Sequence, residues 1–261
     1  MNTKIKAAFF DIDGTLVSFN THCVPQSAKQ ALNLLRQNGV RCFISSGRHI
    51  SNINNLPGLT FDGYITVNGG MTYCNGTLID SNPIDKKDVK TMLDMIYEEN
   101  RFPSCFVRQD GLLLSHETAA TDQIFRQLRF DPMPPIADLR TLTDEPIYQM
   151  ITFFGPDIES EIMQRLPSCA SERWSPVFTD VVPRGQSKVR GIEKICNKLS
   201  ILPSEIVAFG DGGNDIDMLR YAGIGVAMGG AEELVKSAAD IVAPDVDKDG
   251  IWHVVQNILN D

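Results

Sequence analysis

Two carboxylates two residues apart, Asp11 and Asp13, follow a short apolar run from Ile5 to Phe10. An apolar run of that length, bounded by charge, predicts a buried strand. Carboxylates just beyond the carboxyl end of a strand in an open α/β sheet stand where ligands bind. There a carboxylate can attack as a nucleophile, hold a metal or move a proton. Gly14 lets the chain turn sharply and approach a ligand closely. A second acidic cluster, Gly210-Asp211-Gly212-Gly213-Asn214-Asp215, follows another apolar run, Ile206 to Phe209, and opens a helical pattern. One Asp-Gly pair usually marks a turn and no more. Two clusters, each directly after a buried strand, bring Asp11, Asp13, Asp211 and Asp215 to one edge if both strands share a sheet. Carboxylates at contact distance repel one another at neutral pH. A hard divalent cation resolves that repulsion, and Mg²⁺ suits a few carboxylates, water and a phosphate oxygen.

Two further features carry the chemistry of anion binding. Ser46-Gly47 follows a second expected strand, Val40 to Ile44. A hydroxyl and backbone N–H groups there can hold a phosphate, although a strand-end Ser-Gly by itself reads as a turn. Lys188 stands near the start of a helical pattern, after Gly185-Gln186-Ser187. A helix N-terminus attracts anions and Lys adds a full charge; alone, a solvated helical lysine is the ordinary reading. A calcium loop at Asp245-Val246-Asp247-Lys248-Asp249-Gly250 fails at its last position, where Gln256 replaces the bidentate Glu. That stretch reads instead as a loop and a helix start.

The elements that must position these groups follow from periodicity. Ala28, Ala31, Leu32, Leu34 and Leu35 form a helical stripe that starts near Pro25 and ends at Gly39. Strand, helix and strand at this spacing make a βαβ unit, hence a parallel sheet. A third strand is expected over Tyr64 to Val67, ending in Asn68-Gly69-Gly70. From about Asn82 to Val182 the pattern changes. Short strand-like runs (Phe102 to Val107, Leu112 to Ser115, Gln149 to Phe154) alternate with helical stretches (Asp85 to Glu99, Asp157 to Leu166). That composition predicts an inserted α+β domain. The α/β pattern resumes with a helix over Lys188 to Leu199, the strand at Ile206 and a helix over Asp215 to Ala222. Ile224 to Met228, Ala231 to Ala238 and Ile241 to Ala243 continue it. The expected fold class is α/β: a Rossmann-like doubly wound parallel sheet core in two parts, 1–81 and 183–261, with an α+β cap over 82–182.

Length and composition narrow the classes further. The chain has 261 residues and a formal net charge of −9 at pH 7, which suits one large domain or two modest ones. The acidic balance argues against a nucleic-acid partner held by general electrostatics. No apolar run approaches the ~20 residues that span a bilayer, and no signal peptide is evident. The six cysteines form no C-x-x-C pair, so free thiols in a cytoplasmic protein are expected. A monomer is compatible with all of these features.

In order and spacing, Asp11-x-Asp13-Gly14-Thr15, Ser46, Lys188 and Gly210-Asp211-Gly212-Gly213-Asn214-Asp215 resemble the motifs of the haloacid dehalogenase superfamily. The match is nearest to its Cof-like sugar-phosphate phosphatases. Their C-terminal signature runs here from Val207 to Leu219, then through Gly225-Val226-Ala227-Met228-Gly229 and Ala239-Asp240 to Asp249-Gly250. The likeness is dense over residues 4–80 and 183–261. The middle agrees in size and placement with the type IIB cap of that family. The chain departs at two points: Ser-Gly-Arg stands where Thr-Gly-Arg is usual, and Val189 follows Lys188 where Gly is usual.

The resemblance implies a Mg²⁺-dependent phosphoric monoester hydrolase acting on small phosphorylated sugars, hexose phosphates foremost. Asp11 would form an aspartyl-phosphate, and Asp13 would protonate the leaving alcohol and then activate water. Mg²⁺ would be held by Asp11, the Asp13 carbonyl and Asp211, with Asp215 in support. Ser46, Lys188, Asn214 and the N–H groups of Ile12 and Gly47 would hold the phosphoryl oxygens. Candidate substrate contacts are Arg48 and Asn68 beside strand ends, and His116 and Arg184 in the inserted domain, which also offers Arg108, Glu117 and Trp174. The same motifs suit a phosphomutase of the phosphomannomutase kind, told apart by mass balance. They also suit a non-catalytic sugar-phosphate sensor, against which the intact Asp11–Asp13 pair argues.

Overall fold

The computed structural model describes residues 4–128, 130 and 132–260. The chain divides into two compact units, one of residues 1–80 with 187–261, the other of residues 81–186. The first begins with β1 (Ala7–Phe10), α1 (Gln26–Gln37), β2 (Arg41–Ser45) and β3 (Gly63–Thr66). A hairpin of β4 (Met71–Cys74) and β5 (Thr77–Ser81) ends this stretch.

The second unit follows in the chain. It holds α2 (Lys86–Tyr97), β6 (Ser104–Arg108), β7 (Gly111–Leu114), α3 (Ala119–Gln127), β8 (Gln149–Thr152), α4 (Pro156–Gln164), β9 (Cys169–Glu172) and β10 (Thr179–Pro183). Its five strands pair antiparallel in the order β7-β6-β8-β10-β9. Phe106, Met150 and Val181 on one face of this sheet pack with Val89, Met92 and Ile96 of α2 and Ile162 of α4. The alternate residues Cys105, Ile151 and Asp180 take the other face, side by side across three strands.

The first unit resumes with α5 (Lys188–Leu199), β11 (Ile206–Gly210), α6 (Ile216–Tyr221), β12 (Ile224–Ala227), α7 (Glu233–Lys236), β13 (Ile241–Val242) and α8 (Gly250–Asn260). Its eight strands run in the order β13-β12-β11-β1-β2-β3-β4-β5. All pairs from β13 to β3 are parallel, and β4 turns back antiparallel on β3. Both faces of the sheet are covered, as parallel sheets require. Ala8 and Phe10 of β1 join the cluster of α1 and α8, while Ala7 and Phe9 join that of α5 and α6. Phe10 stacks on Phe209 and Phe9 on Phe43, each with ring centroids 4.9 Å apart. This aromatic ladder fixes the register of the three central strands. The doubly wound α/β core expected from the sequence is present.

The expected helix over Ala231 to Ala238 contracts to Glu233–Lys236. The edge hairpin, α3, β9 and β10 carried no clear periodic signal. Among the described residues, no helix is long and apolar enough to cross a membrane. The cysteines are free, and all but Cys23 are buried. Burial pushes the Cys42 thiol up to about 12, leaving it inert.

Candidate active site

Three neighbouring strands deliver the motifs to one edge. β1 lies between β11 and β2, with Phe10 level with Phe209 on one side and Ile44 on the other. Asp11, Asp211 and Ser46 are thus adjacent at the carboxyl ends, a site for ligands in such sheets. The N–H of Asp11 donates to the Phe209 carbonyl at 3.0 Å, and that of Ser46 to the Ile65 carbonyl at 2.9 Å. The ladder therefore runs unbroken to the first residue of each motif.

Gly14 has φ +88°, and a Cβ there would collide with the Asp211 carboxylate. Only glycine permits this turn and this approach. The neighbouring Thr15 hydroxyl donates to Asp211 Oδ1 at 2.7 Å. The sequence reading assigned Thr15 no role. Its hydroxyl, beside a glycine that admits a foreign carboxylate, was the available signal.

Lys188 is the electrostatic centre. It opens α5, is 1 % exposed, and its Nζ donates to Asp11 Oδ1 and Asp215 Oδ1, each at 2.6 Å. Burial alone would lower its pKa, but the Asp11 and Asp215 charges outweigh burial and raise it. Asp215, fully buried, also accepts through Oδ2 from the N–H groups of Asp211 and Gly212. It therefore ties the lysine to the loop that carries Asp211. Oxygens of Asp11, Asp211 and Asp215 lie within 4.8 Å of one another.

These acids are incompletely neutralised. Burial, against the pull of Lys188 and with the push of Asp215 and Asp211, raises Asp11 well above the usual carboxylate range. Burial likewise lifts Asp211 to about 6, despite the Thr15 hydrogen bond. Counting Asp13, four carboxylates face two cations, Lys188 and Arg48. The balance is two negative charges, and the all-oxygen donor set fits a hard divalent cation such as Mg²⁺.

Asp13 does not join the close cluster. Its half-exposed carboxylate is clasped by Arg48, Nε to Oδ2 at 2.6 Å and Nη2 to Oδ1 at 2.9 Å. Arg48, a candidate substrate contact, thus grips the candidate acid/base. Ser46 is buried, and its Oγ accepts from the Arg48 N–H at 3.1 Å. The Asn214 amide donates to Asn68 Oδ1 at 3.0 Å, joining the fourth motif to the end of β3. Among the described residues, the N–H groups of Ile12 and Gly47 meet no protein acceptor. Backbone donors at such strand ends can form an anion cradle.

His116 and Arg184 belong to the second unit. His116 Nδ1 lies 3.0 Å from Ser115 Oγ, and Arg184 Nε donates to the Pro167 carbonyl at 2.9 Å. Arg108 pairs with Glu145. Asp245 accepts from the Asp247 N–H, capping a short turn ahead of α8, as the loop reading anticipated.

A doubly wound sheet with an inserted α+β unit and aspartates at adjoining strand ends defines a class. The chain belongs to the haloacid dehalogenase-like hydrolases, whose family model matches residues 8–255. Within that family it is a phosphatase. It is 37% identical to BT4131, described as a HAD subclass IIB sugar phosphatase, with a TM-score of 0.85 over 97% of this chain and 98% of that one. It is 33% identical to BT1666 from Bacteroides thetaiotaomicron, a phosphatase of the same superfamily, with a TM-score of 0.88 over 98% and 96%. Phosphatase YwpJ of Bacillus subtilis (strain 168) shares 28% identity over 98% of this chain and 100% of its own.

Proposed function

We propose that this chain is a Mg²⁺-dependent phosphatase of small sugar phosphates, hexose phosphates foremost, working through an aspartyl-phosphate at Asp11. The observation that carries the reading is the buried Lys188, bonded to Asp11 and Asp215 beside the Asp211 carboxylate. The name of BT4131 supports the sugar.

Asp11 Oδ attacks phosphorus as the P–O bond to the sugar breaks, and the leaving oxygen takes a proton from Asp13. Asp13 then accepts a proton from water, whose oxygen attacks the acyl phosphate, frees inorganic phosphate and restores Asp11. An anion must approach an anion, so charge compensation decides the rate. Lys188, Ser46, Asn214 and the free N–H groups of Ile12 and Gly47 would take the phosphoryl oxygens. Asp11, the Asp13 carbonyl and Asp211 would hold Mg²⁺, with Asp215 bracing them. The ion would supply positive charge at the transferring phosphoryl group.

A phosphate-release screen over hexose, pentose and polyol phosphates, with and without Mg²⁺, tests the function. Release from sugar esters that stops on chelation is expected; an isomeric ester in place of phosphate would replace the hydrolase with a mutase. The metal must displace protons from Asp11 and Asp211. With Asp211 near 6, apparent Mg²⁺ affinity should fall below that pH by about tenfold per unit for each proton displaced. The same shift sets stability. The folded metal-free chain holds more protons than the unfolded one between the ordinary carboxylate value and about 6. Its stability therefore falls as pH rises through that window, and Mg²⁺ should raise the melting temperature more at pH 7.5 than at pH 5.

Thr15→Val keeps the shape and removes the bond to Asp211. Activity at limiting Mg²⁺ should drop about 10–100-fold and recover in part with excess Mg²⁺. An unchanged Mg²⁺ titration would show that the hydroxyl does not orient Asp211.

A further inference from the structure

We propose that Asn68 is a positioning residue for the phosphoryl group: its side-chain amide, set over Gly47 by a turn of positive-φ residues, holds the Asn214 amide where it meets a phosphoryl oxygen. The proposal rests on the function above and assigns Asn68 to the phosphate end of the substrate, not to the sugar.

The turn that follows β3 is conformationally costly. Val67, Asn68 and Gly69 have φ of +53°, +50° and +91° in succession. A β-branched residue at positive φ is an outlier, whereas Asn tolerates that backbone better than most residues. Such strain persists only where the surroundings over-determine it. Here the surroundings are the motif loops. The N–H of Val67 donates to the Arg48 carbonyl and that of Asn68 to the Ser46 carbonyl, each at 3.1 Å. Gly69 is buried, and a Cβ on it would lie 2.1 Å from the carbonyl oxygen of Ser187, the residue just before Lys188. One turn therefore binds the loop of Ser46 and abuts the start of α5.

The Asn68 side chain carries the link to a further loop. A Cβ on Gly47 would meet Oδ1, Nδ2 and Cγ of Asn68 at 3.2, 3.4 and 3.6 Å, so the amide lies over that glycine. Asn68 Oδ1 in turn accepts from Asn214 Nδ2 at 3.0 Å. Asn214 is exposed, in the short turn that leads into α6. A surface asparagine without an anchor samples several rotamers, and ordering it on binding costs entropy. The bond to Asn68 selects one rotamer in advance. The Asn214 NH₂ carries a second donor, and this is the one a phosphoryl oxygen would take. Asn68 thus couples the Gly47 loop to the Asn214 loop, and donors fixed before the reaction need no reorganisation during it.

The test compares the full chain with Asn68→Gly, Asn214→Ala and the double variant, on glucose 6-phosphate and on phenyl phosphate, which has no sugar. Glycine adopts positive φ freely, so Asn68→Gly keeps the turn and removes only the amide. Its kcat/KM should fall about tenfold, by the same factor on both esters. The double variant should lose little more than Asn214→Ala alone, because Asn68 acts through Asn214. Unchanged kinetics in Asn68→Gly would reduce Asn68 to its backbone role. A loss confined to the sugar ester would make it a sugar contact, and losses that multiply in the double variant would uncouple the pair. Each of these three results overturns the proposal. Phosphate binding is read apart from turnover by calorimetry. Inorganic phosphate should bind Asn68→Gly about tenfold more weakly than wild type, and equal affinity overturns the proposal even if esters are hydrolysed. Weaker binding in a protein whose wild type releases no phosphate keeps the positioning role and discards the phosphatase reading.

Discussion

Asp11→Asn should lower phosphate release by about 10⁴-fold or more on every ester, with the fold intact. Asn keeps the shape of Asp but has no charged oxygen to attack phosphorus. The substitution also removes one member of a crowded acidic cluster. Asp11 is raised by burial and pushed further by Asp215 and Asp211, with only Lys188 opposing. Neutralising it should therefore leave the melting temperature unchanged or higher in the absence of Mg²⁺. Acid-quenched wild-type enzyme should carry phosphate on the peptide containing Asp11, and the variant should carry none. A variant that still releases phosphate at the wild-type rate would falsify the nucleophile assignment.

Lys188→Met should harm both activity and stability. Methionine fills similar space without the ammonium, leaving Asp11 and Asp215 buried without their shared cation. Breaking a buried pair on one side costs about 3–5 kcal/mol. Activity should fall about 10²–10³-fold through lost charge stabilisation. The raised Lys188 stays charged at every physiological pH, so its contribution is present throughout and is lost only in strong alkali. The variant should behave differently. Its Asp11, already raised by burial, loses the Lys188 charge that lowers it, so its stability rises as pH falls toward 5. Urea melts at pH 5 and pH 8 read this directly. Equal destabilisation at both values would mean that Lys188 matters for packing and not for charge.

The parts of the molecule most legible in the sequence are those where one physical demand dominates. β1 and β11 are buried on both faces, so they appear as continuous apolar runs, and the Asp-Gly clusters mark their ends. α5 spans Lys188–Leu199, the range expected from the sequence. The edge strand β5 was illegible because none of its five residues is buried, so no alternation appears. α3 starts with a Thr118–Thr121 box in place of the usual Glu or Gln, and it is short and polar. In the site, the types and spacing of the aspartates suffice to bring them together. Which cation each aspartate takes depends on rotamers and packing across strands. That Arg48 would grasp Asp13, and that Thr15 would steady Asp211, are facts of tertiary contact.

The position of β1 at the middle of its sheet also shapes how the molecule is made. Thr15 and Asp211 are 196 residues apart in sequence, and Lys188 and Asp11 are 177 apart. A chain emerging from the ribosome produces β1 well before its partner β11, which is synthesised only after the whole inserted unit. Until then an apolar central strand, Ala7–Phe10, has one edge without its hydrogen-bond partner. Loop closure on that scale slows folding and exposes an adhesive edge meanwhile. The inserted unit pairs its strands antiparallel among themselves and can fold before β11 is made. The cluster is completed last, so any truncation before Gly210 removes Asp211, Asn214 and Asp215 from the site.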